Sequence, residues 1–522
     1  MPNRPTDQLF QLIKSLDKAE KRNFKLYAKR NAAGADLKVV QLFDALDKLE
    51  EYDEAKLLKH TKSIKKQQLS NIKAHLYKQI LNSLRLLKDE GNIDIQLHEQ
   101  MDHARILFNK GLYMQSLKVL EKIKESSKDH HQVTFWLQAL IFEKKIESLY
   151  ITRSFKNRAE LLSKEVEELD DRLVMIGKLS NLALQLYGWY INHGHARNKQ
   201  EEQSLKTFFT QQLPKHADQQ RGFYERMYLY QAYCWYAFIL QDLLQYYKYC
   251  QRWVDLFEEE PVMKSIETLY YLKGMHNLLN AHFMLRNHQK HATELTRLQK
   301  FYTSTICQQQ ENNQVQAFVH LFTARINQHF MEGSFSKGVV QIAPLEAELE
   351  AYASKLDLHR VLVFYYKIAC LHFGAGDNAT AIGYLQKIIH WKTDLRSDLQ
   401  CYARLLHLIA HYELGNYDIL EHLIKSVFRF MAKMESLTVV EEAIFQFLRS
   451  SFASTPVKIV PQFAKLHQRL SKLQGSALET RSFMYLDILS WLESKMQSKP
   501  VQEIIKKKFE LNKKKDNSLL KQ

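Results

Sequence analysis

The sequence has 522 residues, of which 45% are apolar and 25% are charged. This length exceeds what one hydrophobic core usually supports, and this composition excludes a disordered chain, so we predict several domains or an elongated repeat array. Only 15 glycines and 8 prolines are present. That is too few turn residues for a β-sandwich or an α/β protein of this length, so the predicted fold class is all-α.

The five cysteines are widely spaced and include no C-x-x-C pair. This spacing favours free thiols in a reducing compartment over a zinc site or a disulfide framework. The first residues contain no apolar segment typical of a secretory signal, and no apolar run reaches the roughly 18–20 residues that span a bilayer. We therefore expect a cytoplasmic protein without a membrane span.

Residues 1–92 are predicted to form a basic helical N-terminal domain, with 19 Lys and Arg against 12 Asp and Glu. The stretch from Ala55 to Lys88 holds nine basic residues and no acidic one. Within it, Leu69, Ile72, Leu76, Ile80, Leu84 and Leu87 recur at helical spacing and predict an amphipathic helix.

Two interpretations of this helix stay open. A solvated helical cap is one, because soluble helices often carry lysine on their wet face. The other is contact with phosphates and base edges of a nucleic acid, for which Asn, Lys and Arg are suitable side chains. The candidate contact residues are Lys62, Lys66, Asn71, Lys73, Lys78, Asn82 and Arg85.

A repeat occupies residues 93–450. Histidine followed by an aromatic residue recurs at His282, His329, His372 and His411, at intervals of 47, 43 and 39 residues. Aromatic residues precede seven of the eight predicted turns by three positions, all except Gly194, and a small residue follows the turn by five at Ser116, Gly338 and Ala381. The predicted turn residues are Gly111, Arg153, Gly194, Gln241, Arg286, Gly333, Gly376 and Gly415.

The pattern has a mechanical explanation. One helix ends at the turn, where glycine tolerates a left-handed backbone, and the small residue lets the next helix approach closely. A single hairpin cannot bury both of its faces, so the hairpins must stack on one another.

The segment from Asn109 to Ile123 resembles the turn and second helix of a tetratricopeptide repeat, as do Ala375–Ile388 and Leu414–Glu421. This resemblance implies a right-handed superhelical solenoid of antiparallel helix hairpins. The intervals of 39–47 residues exceed the family's 34, and histidine replaces the usual tyrosine in four units. The segment Ser15–Tyr27 also resembles the start of a bacterial protein family.

By position, the resemblance implies a concave groove that takes a peptide or a helix. We therefore predict a non-enzymatic scaffold or adaptor with a protein or peptide partner. The alternative is a nucleic-acid-binding regulator in which the array senses a partner. The predicted inward-facing residues are His98, Arg105, Asn109, Gln231, Trp235, Lys273, His276, Asn280, His320, Asn327, Tyr366 and Tyr402.

No catalytic motif, cofactor or metal site is predicted. Equivalent positions in stacked hairpins lie about 10 Å apart, whereas zinc ligands converge to about 2 Å from one ion. The four repeat histidines therefore favour core packing with a satisfied ring nitrogen. His98 and His103 are five apart rather than the four of a zinc motif, and His407 and His411 lack a following glutamate and a third ligand.

Beyond the repeats we predict a helical cap at 451–494 and a frayed basic tail at 495–522. The tail carries 9 Lys and Arg against 3 Asp and Glu. Sequence-independent affinity for phosphates and plain solubility both remain open as its role.

Overall fold

The computed structural model describes residues 7–30, 35–61, 63–87, 92–150, 157–196, 198–220, 222–352, 355–356, 358–391, 397–433, 439–451, 456–473 and 487–519. All regular elements in these ranges are helical and none is a strand, so the predicted all-α class is confirmed for them. The chain divides into two compact units, Met1–Glu167 and Glu168–Gln522. The four predicted segments are finer than this division and stay predictions.

The first unit contains eight complete helices and the start of a ninth. They are α1 Gln8–Ser15, α2 Lys18–Arg30, α3 Ala35–Lys48, α4 Glu54–His60, α5 Lys66–Leu87, α6 Ile93–Asn109, α7 Tyr113–Asp129, α8 Val133–Tyr150 and the beginning of α9 Arg158–His193.

Among its described residues, the second unit holds the rest of α9 and eighteen further helices. They are α10 Lys199–Gln212, α11 Phe223–Ile239, α12 Leu243–Glu259, α13 Met263–Ile266, α14 Thr268–Met284, α15 His288–Tyr302, α16 Thr305–Gln308, α17 Glu311–Glu332, α18 Phe335–Val340, α19 Ile342–Ala351, α20 Leu358–Ala375, α21 Asn378–Ile389, α22 Ser397–Glu413, α23 Tyr417–Lys433, α24 Val439–Ser451, α25 Pro456–Leu473, α26 Ile488–Gln497 and α27 Val501–Leu519.

The predicted amphipathic stripe organises the core of the first five helices. On α5, Leu69, Leu76 and Ile80 are buried, and they pack with residues of α1 to α4. Ile72 and Leu84 lie at the edge of the same core, while Leu87 is exposed. The stripe is therefore confirmed except at its last residue.

The turn register predicted from the repeat is confirmed wherever its residues are described. The turn residues adopt left-handed backbone angles, which let a helix end and the chain reverse. Arg153, with the predicted Phe155 after it, lies outside the described residues. The positive φ values are Gly111 77°, Gly194 73°, Gln241 59°, Arg286 55°, Gly333 66°, Gly376 90° and Gly415 71°.

The hydrogen bonds at five of these seven turns follow one scheme, the exceptions being Gly194 and Gly333. At Gly376, the N–H donates to the carbonyl of Phe373 at 3.0 Å, and the N–H of Asp377 donates to the carbonyl of His372 at 2.9 Å. The pair of bonds is a Schellman motif, which satisfies the last carbonyls of a helix. The bonds recur at Arg286, where the N–H of Asn287 reaches the carbonyl of His282 at 2.9 Å. The aromatic and histidine positions of the repeat are thus the C-terminal turn of each first helix.

The predicted small residues stand where helices approach closely. Ser116 and Ala381 are fully buried. The Ser116 hydroxyl donates to the carbonyl of Ala104 on the preceding helix at 2.8 Å. A Cβ at Gly338 would come within 2.8 Å of the Leu371 side chain. Successive helices pack directly on each other, as in the pairs α6–α7, α11–α12, α12–α14, α14–α17 and α20–α21.

The prediction of a frayed C-terminal tail is wrong. Residues 501–519 form α27, which packs against α17, α20 and α26. Ile504 and Ile505 are buried, and the Lys508 ammonium donates to Glu493 at 2.8 Å. The many lysines suggested a solvated tail, but the segment has the pattern of an amphipathic helix. Its residues Val501, Ile504, Ile505 and Phe509 share one face at helical spacing.

Candidate functional site

The second unit contains a cavity of about 680 Å³, within the range of roughly 300–1,000 Å³ that is typical of ligand sites. Its walls come from α9, α11, α14, α17 and α20, and residues of α27 close one side. We refer to this space as the cavity.

Seven of the twelve residues predicted to face inward line the cavity. They belong to four helices that follow one another as first helices of the repeat. They are Trp235, Lys273, His276, Asn280, His320, Asn327 and Tyr366. The register drawn from the turns therefore located a real concave surface.

Five of the predicted inward-facing residues lie elsewhere. Gln231 and Tyr402 are buried in the second unit but do not line the cavity. Arg105 and Asn109 are exposed side chains of the first unit, and Arg105 lies 3.4 Å from the Asp102 carboxylate. His98, also in the first unit, packs edge-on against Phe135.

Helical spacing explains why these side chains share the cavity. On α14, Lys273, His276 and Asn280 are three and four residues apart and so lie on one face. On α20, Arg360 and Lys367 are two turns apart and line the same cavity.

Lysine and arginine dominate the charge of the lining. Lys273, Arg286, Arg360 and Lys367 line the cavity, whereas Asp487 is the one carboxylate among its described lining residues. Asp487 lies 3.8 Å from the Arg286 guanidinium and so is already paired. Among the described residues, no carboxylate lies within 4.0 Å of the ammonium of Lys273 or Lys367.

The two lysines contact rings and amides instead of acids. The Lys273 ammonium is 5.1 Å from the ring centroid of Tyr187 and 5.7 Å from that of Trp235. The Lys367 ammonium donates to the Asn327 side-chain carbonyl at 2.6 Å. It also lies 5.6 Å from the centre of the Phe330 ring. Such contacts compensate part of the cost of removing an ammonium group from water.

The pKa values of the cavity bases are lowered. Burial lowers the pKa of Lys367 to about 8. Burial also lowers the pKa of Lys273, and the charge of Arg360 adds to this effect. The pKa of His276 falls to about 4, first through burial and then through the positive charges of Lys367, Arg360 and Lys273. Burial disfavours the charged form of each of these bases. Neighbouring positive charges further oppose the protonation of Lys273 and His276.

Two histidines and one guanidinium complete the polar wall. The rings of His276 and His320 stack with their centroids 4.5 Å apart. The Nδ1 atom of His320 is buried and has no hydrogen-bond partner among the described residues. Arg360 donates from Nη1 to the side-chain carbonyl of Gln316. The wall is therefore polar but rigidly packed.

The four repeat histidines pack between helices. At three of them the Nδ1 atom contacts a side chain, and His282 is the exception. The Nδ1 atoms of His329, His372 and His411 each contact the side chain five residues later, at 2.8 Å, 3.0 Å and 3.0 Å. These partners stand immediately after the turn. His282 is buried, but its Nδ1 atom has no hydrogen-bond partner among the described residues. The contact that Nδ1 makes at the other three histidines is thus missing at His282 among the described residues.

His407 and His411 lie close together, with their Nε2 atoms 3.3 Å apart. No third ligand joins them, and the described residues contain no cluster of three or more His, Cys, Asp or Glu side chains that could hold a metal ion. Within the same residues, none of the helices combines the length and the apolar character that a membrane crossing needs.

The candidate nucleic-acid face of the first unit is partly engaged within the protein. Lys66, Asn71, Lys78 and Asn82 are exposed on α5, and Lys62 lies outside the described residues. The remaining two candidates have acidic partners. The Lys73 ammonium pairs with Asp7 and donates to the Tyr52 hydroxyl, and Arg85 is 3.6 Å from Asp102. Binding of duplex DNA that weakens with salt and with Lys78→Met would test this prediction.

Sequence reasoning missed Arg360 and Lys367. A single lysine within a helix usually lies in solvent, so neither residue gave a compositional signal. A positional signal existed, because Lys367 precedes Cys370 by one helical turn. Cys370 stands six residues before its turn residue, as Asn280 and Asn327 do. A projection of the register onto α20 would have placed Cys370 in the cavity, with Lys367 one turn before it.

Comparison with models of known protein families found no match to this chain. Comparison with curated protein sequences found none either.

Proposed function

We propose that the protein is a non-enzymatic scaffold whose second unit holds a peptide segment in the cavity. The observation that carries this proposal is the convergence of Trp235, Lys273, His276, Asn280 and Asn327 on one concave surface. Large rigid rings beside a few convergent polar groups are characteristic of sites that bind by shape and orientation.

We infer that the occupant is extended rather than helical where it enters. A helix with side chains is about 10–12 Å wide, so one 5.4 Å turn already fills roughly 500 Å³. The cavity of about 680 Å³ therefore accommodates little more than one turn. An extended segment offers free backbone N–H and C=O groups, which the Asn280 and Asn327 amides can bond.

The architecture that we propose for the second unit is a right-handed superhelical stack of tetratricopeptide-like hairpins. Support comes from the repeated left-handed turns and from the direct packing of successive helices. The intervals between turns vary, so the proposed stack is less regular than arrays built from the shorter repeats of that superfamily. We propose a cytoplasmic location because none of the five cysteines, all of which are described, is in a disulfide, and this includes Cys234 and Cys250 with sulfurs 3.6 Å apart.

A substitution that fills the cavity tests the proposed function. Val363 lines the cavity and is partly buried. We expect Val363→Trp to abolish binding of a peptide selected from a random library by the full-length protein. The control is Val340→Trp, at a residue that is 77% exposed and outside the lining. Unchanged peptide affinity in Val363→Trp, with a normal melting temperature, would refute the proposal.

A further inference from the structure

Lys367 has the surroundings of a lysine that reacts as a neutral amine. Its side chain is partly buried and lines the cavity. Burial lowers the pKa of Lys367 to about 8, so on the order of one molecule in ten carries the neutral amine at pH 7. Only the neutral amine has a lone pair of electrons. A lysine desolvated in a pocket is therefore suited to attack a carbonyl carbon.

No acidic group of the described lining holds Lys367 in its charged form. The lining carboxylate, Asp487, lies 3.8 Å from the Arg286 guanidinium. Cys370, one turn after Lys367, supplies no negative charge at pH 7, because burial raises the pKa of its thiol to about 12. The other charged or histidine side chains among the described lining residues are Lys273, His276, His320 and Arg360.

The contacts of Lys367 orient its nitrogen and suit an imine as well as an ammonium group. The nitrogen donates to the side-chain carbonyl of Asn327 at 2.6 Å, and a neutral amine can make the same bond while its lone pair stays available. Asn327 is 3% exposed and so is held by the packing. The ring centroids of Phe283 and Phe330 lie 5.9 Å and 5.6 Å from the nitrogen. These rings can stabilise a protonated imine as they stabilise the ammonium.

We propose that Lys367 forms a reversible imine with an aromatic aldehyde that enters the cavity. The nitrogen attacks the carbonyl carbon, and a proton passes from nitrogen to the carbonyl oxygen to give a carbinolamine. That oxygen leaves as water and a C=N double bond forms, so the reaction needs neither an oxidant nor a reductant. An aromatic group is favoured because Phe283, Phe330 and Phe364 line the cavity, and rings pack well in offset or edge-on arrangements.

Lys273 shares the cavity but lacks the contact that orients Lys367. Its ammonium lies 5.1 Å from the ring centroid of Tyr187 and 5.7 Å from that of Trp235. An indole ring stabilises a cation better than the other aromatic side chains do, which favours the charged and unreactive form. We therefore assign the reaction to Lys367 and not to Lys273.

Capture of an aldehyde is independent of the proposed peptide function. A peptide would be held by noncovalent contacts with several walls of the cavity, whereas the imine forms at one nitrogen atom. Loss of peptide binding would leave the imine proposal unaffected, and absence of the imine would leave the peptide function unaffected.

The test is reductive labelling of the full-length protein with benzaldehyde and sodium cyanoborohydride, which converts an imine to a stable secondary amine. Mass spectrometry then measures the labelling rate of each lysine between pH 6 and pH 9. Lys387 is the internal control, because it also lies over two rings, those of Tyr365 and Tyr384, but is exposed and outside the lining.

We expect benzaldehyde to label Lys367 about 10- to 100-fold faster than Lys387 at pH 7, because more of its amine is neutral. The rate at Lys367 should rise through about pH 8, whereas an ordinary lysine has a pKa of about 10.4. Propanal, which has no ring, should give a smaller ratio between the two lysines.

Two variants locate the reaction. Val363→Trp fills the cavity and should slow labelling at Lys367 while leaving Lys387 unchanged. Lys367→Arg keeps a positive charge but cannot form the imine, so the fast phase of labelling should disappear. The comparison of Lys367 with Lys387 takes place within one folded molecule and stays decisive if either variant does not fold.

Three results would overturn the proposal. The first is labelling of Lys367 no faster than that of Lys387 at pH 7. The second is a fast adduct on Lys273 with none on Lys367. The third is an equal ratio of labelling with benzaldehyde and propanal, which would remove the assignment to aromatic aldehydes.

Discussion

Two basic regions of this protein differ in how their charge is arranged. On α5 the charge is dense in sequence, yet Lys66 and Lys78 point to solvent, and Lys73 is neutralised by Asp7. In the cavity the charge is scattered in sequence, since Lys273 and Lys367 are 94 residues apart in a nearly neutral stretch. The fold brings those two lysines to one cavity, partly buried, and within the described ranges no carboxylate pairs with either.

The difference shows what can be inferred from a run of basic residues in a sequence. A run of basic residues is easy to see because its members are adjacent in sequence. Adjacent lysines on a helix surface are mostly solvated, so each contributes little to the free energy of unfolding. Charge with energetic consequences is assembled between helices and is partly dehydrated. We therefore expect the cations of the cavity to destabilise the protein, and we expect Lys73 of α5, which is paired with Asp7, to stabilise it.

Acidification should have the largest effect and should act through the cavity. The pKa of His276 is lowered to about 4 in the folded protein, from an ordinary value near 6.5. Between these pH values the unfolded chain binds a proton that the folded chain does not, so the free energy of unfolding decreases as the pH falls. His276 alone accounts for a loss of about 2–3 kcal/mol by pH 4.

Urea denaturation at pH 7, 5.5 and 4.5 measures this loss. Burial lowers the pKa of the neighbouring His320 as well, and the charges of Arg360 and Lys273 act on both rings, whereas Lys367 acts on His276. The double variant His276→Gln and His320→Gln should show a shallower dependence on pH. His422→Gln, at an exposed residue, serves as the control. The same slope in all three proteins would show that the cavity histidines are not desolvated.

Removing the engaged lysine of α5 should destabilise the first unit. Lys73→Met leaves Asp7 and the Tyr52 hydroxyl without their shared partner. We expect the free energy of unfolding to fall by about 1–2 kcal/mol, the cost of losing a partly buried charged hydrogen bond. Trp136, the only tryptophan in residues 1–167, reports on this unit by fluorescence.

The matched control is Lys78→Met on the same helix. Its side chain is exposed, so the change in stability should stay within about 0.5 kcal/mol. Equal losses in both variants would mean that the pairing of Lys73 contributes nothing beyond an ordinary surface lysine.

Removing a cavity lysine should have the smallest effect and the opposite sign. Lys273→Met eliminates a desolvated charge near Arg360, and the thioether can keep contact with Tyr187 and Trp235. We expect a gain of about 0.5–1 kcal/mol in thermal or urea denaturation, as is common when a functional site is neutralised. A loss of stability comparable to that of Lys73→Met would erase the distinction between the two regions.

Much of this fold could be predicted from residue pattern, because turns and helix faces are local properties. The turn register and the burial of Ser116 and Ala381 follow from the repeat alone. The groove was predictable only in part, for the same register that located Lys273 and Asn327 also selected Gln231 and Tyr402. Those two lie inside the packing and not at its surface.

What escaped prediction depends on contacts distant in sequence. In the part of the chain that the structure describes, no acid pairs with Lys367, and this property of several helices together leaves no trace in any one of them. The docking of α27 was hidden for the same reason. Its approach is so close that a Cβ at Gly333 would lie 2.5 Å from the backbone nitrogen of Lys506. The C-terminal helix therefore packs directly onto a turn that the repeat alone explains.

The location of the bound peptide tests the central claim most directly. Hydroxyl-radical footprinting of the full-length protein, with and without a peptide selected from the library, reports which side chains lose contact with water. The account predicts protection of Trp235, Phe283 and Met284, which line the cavity, and an unchanged rate at Tyr77, an exposed residue of α5. Protection of Tyr77 with no change at the three cavity residues would contradict it.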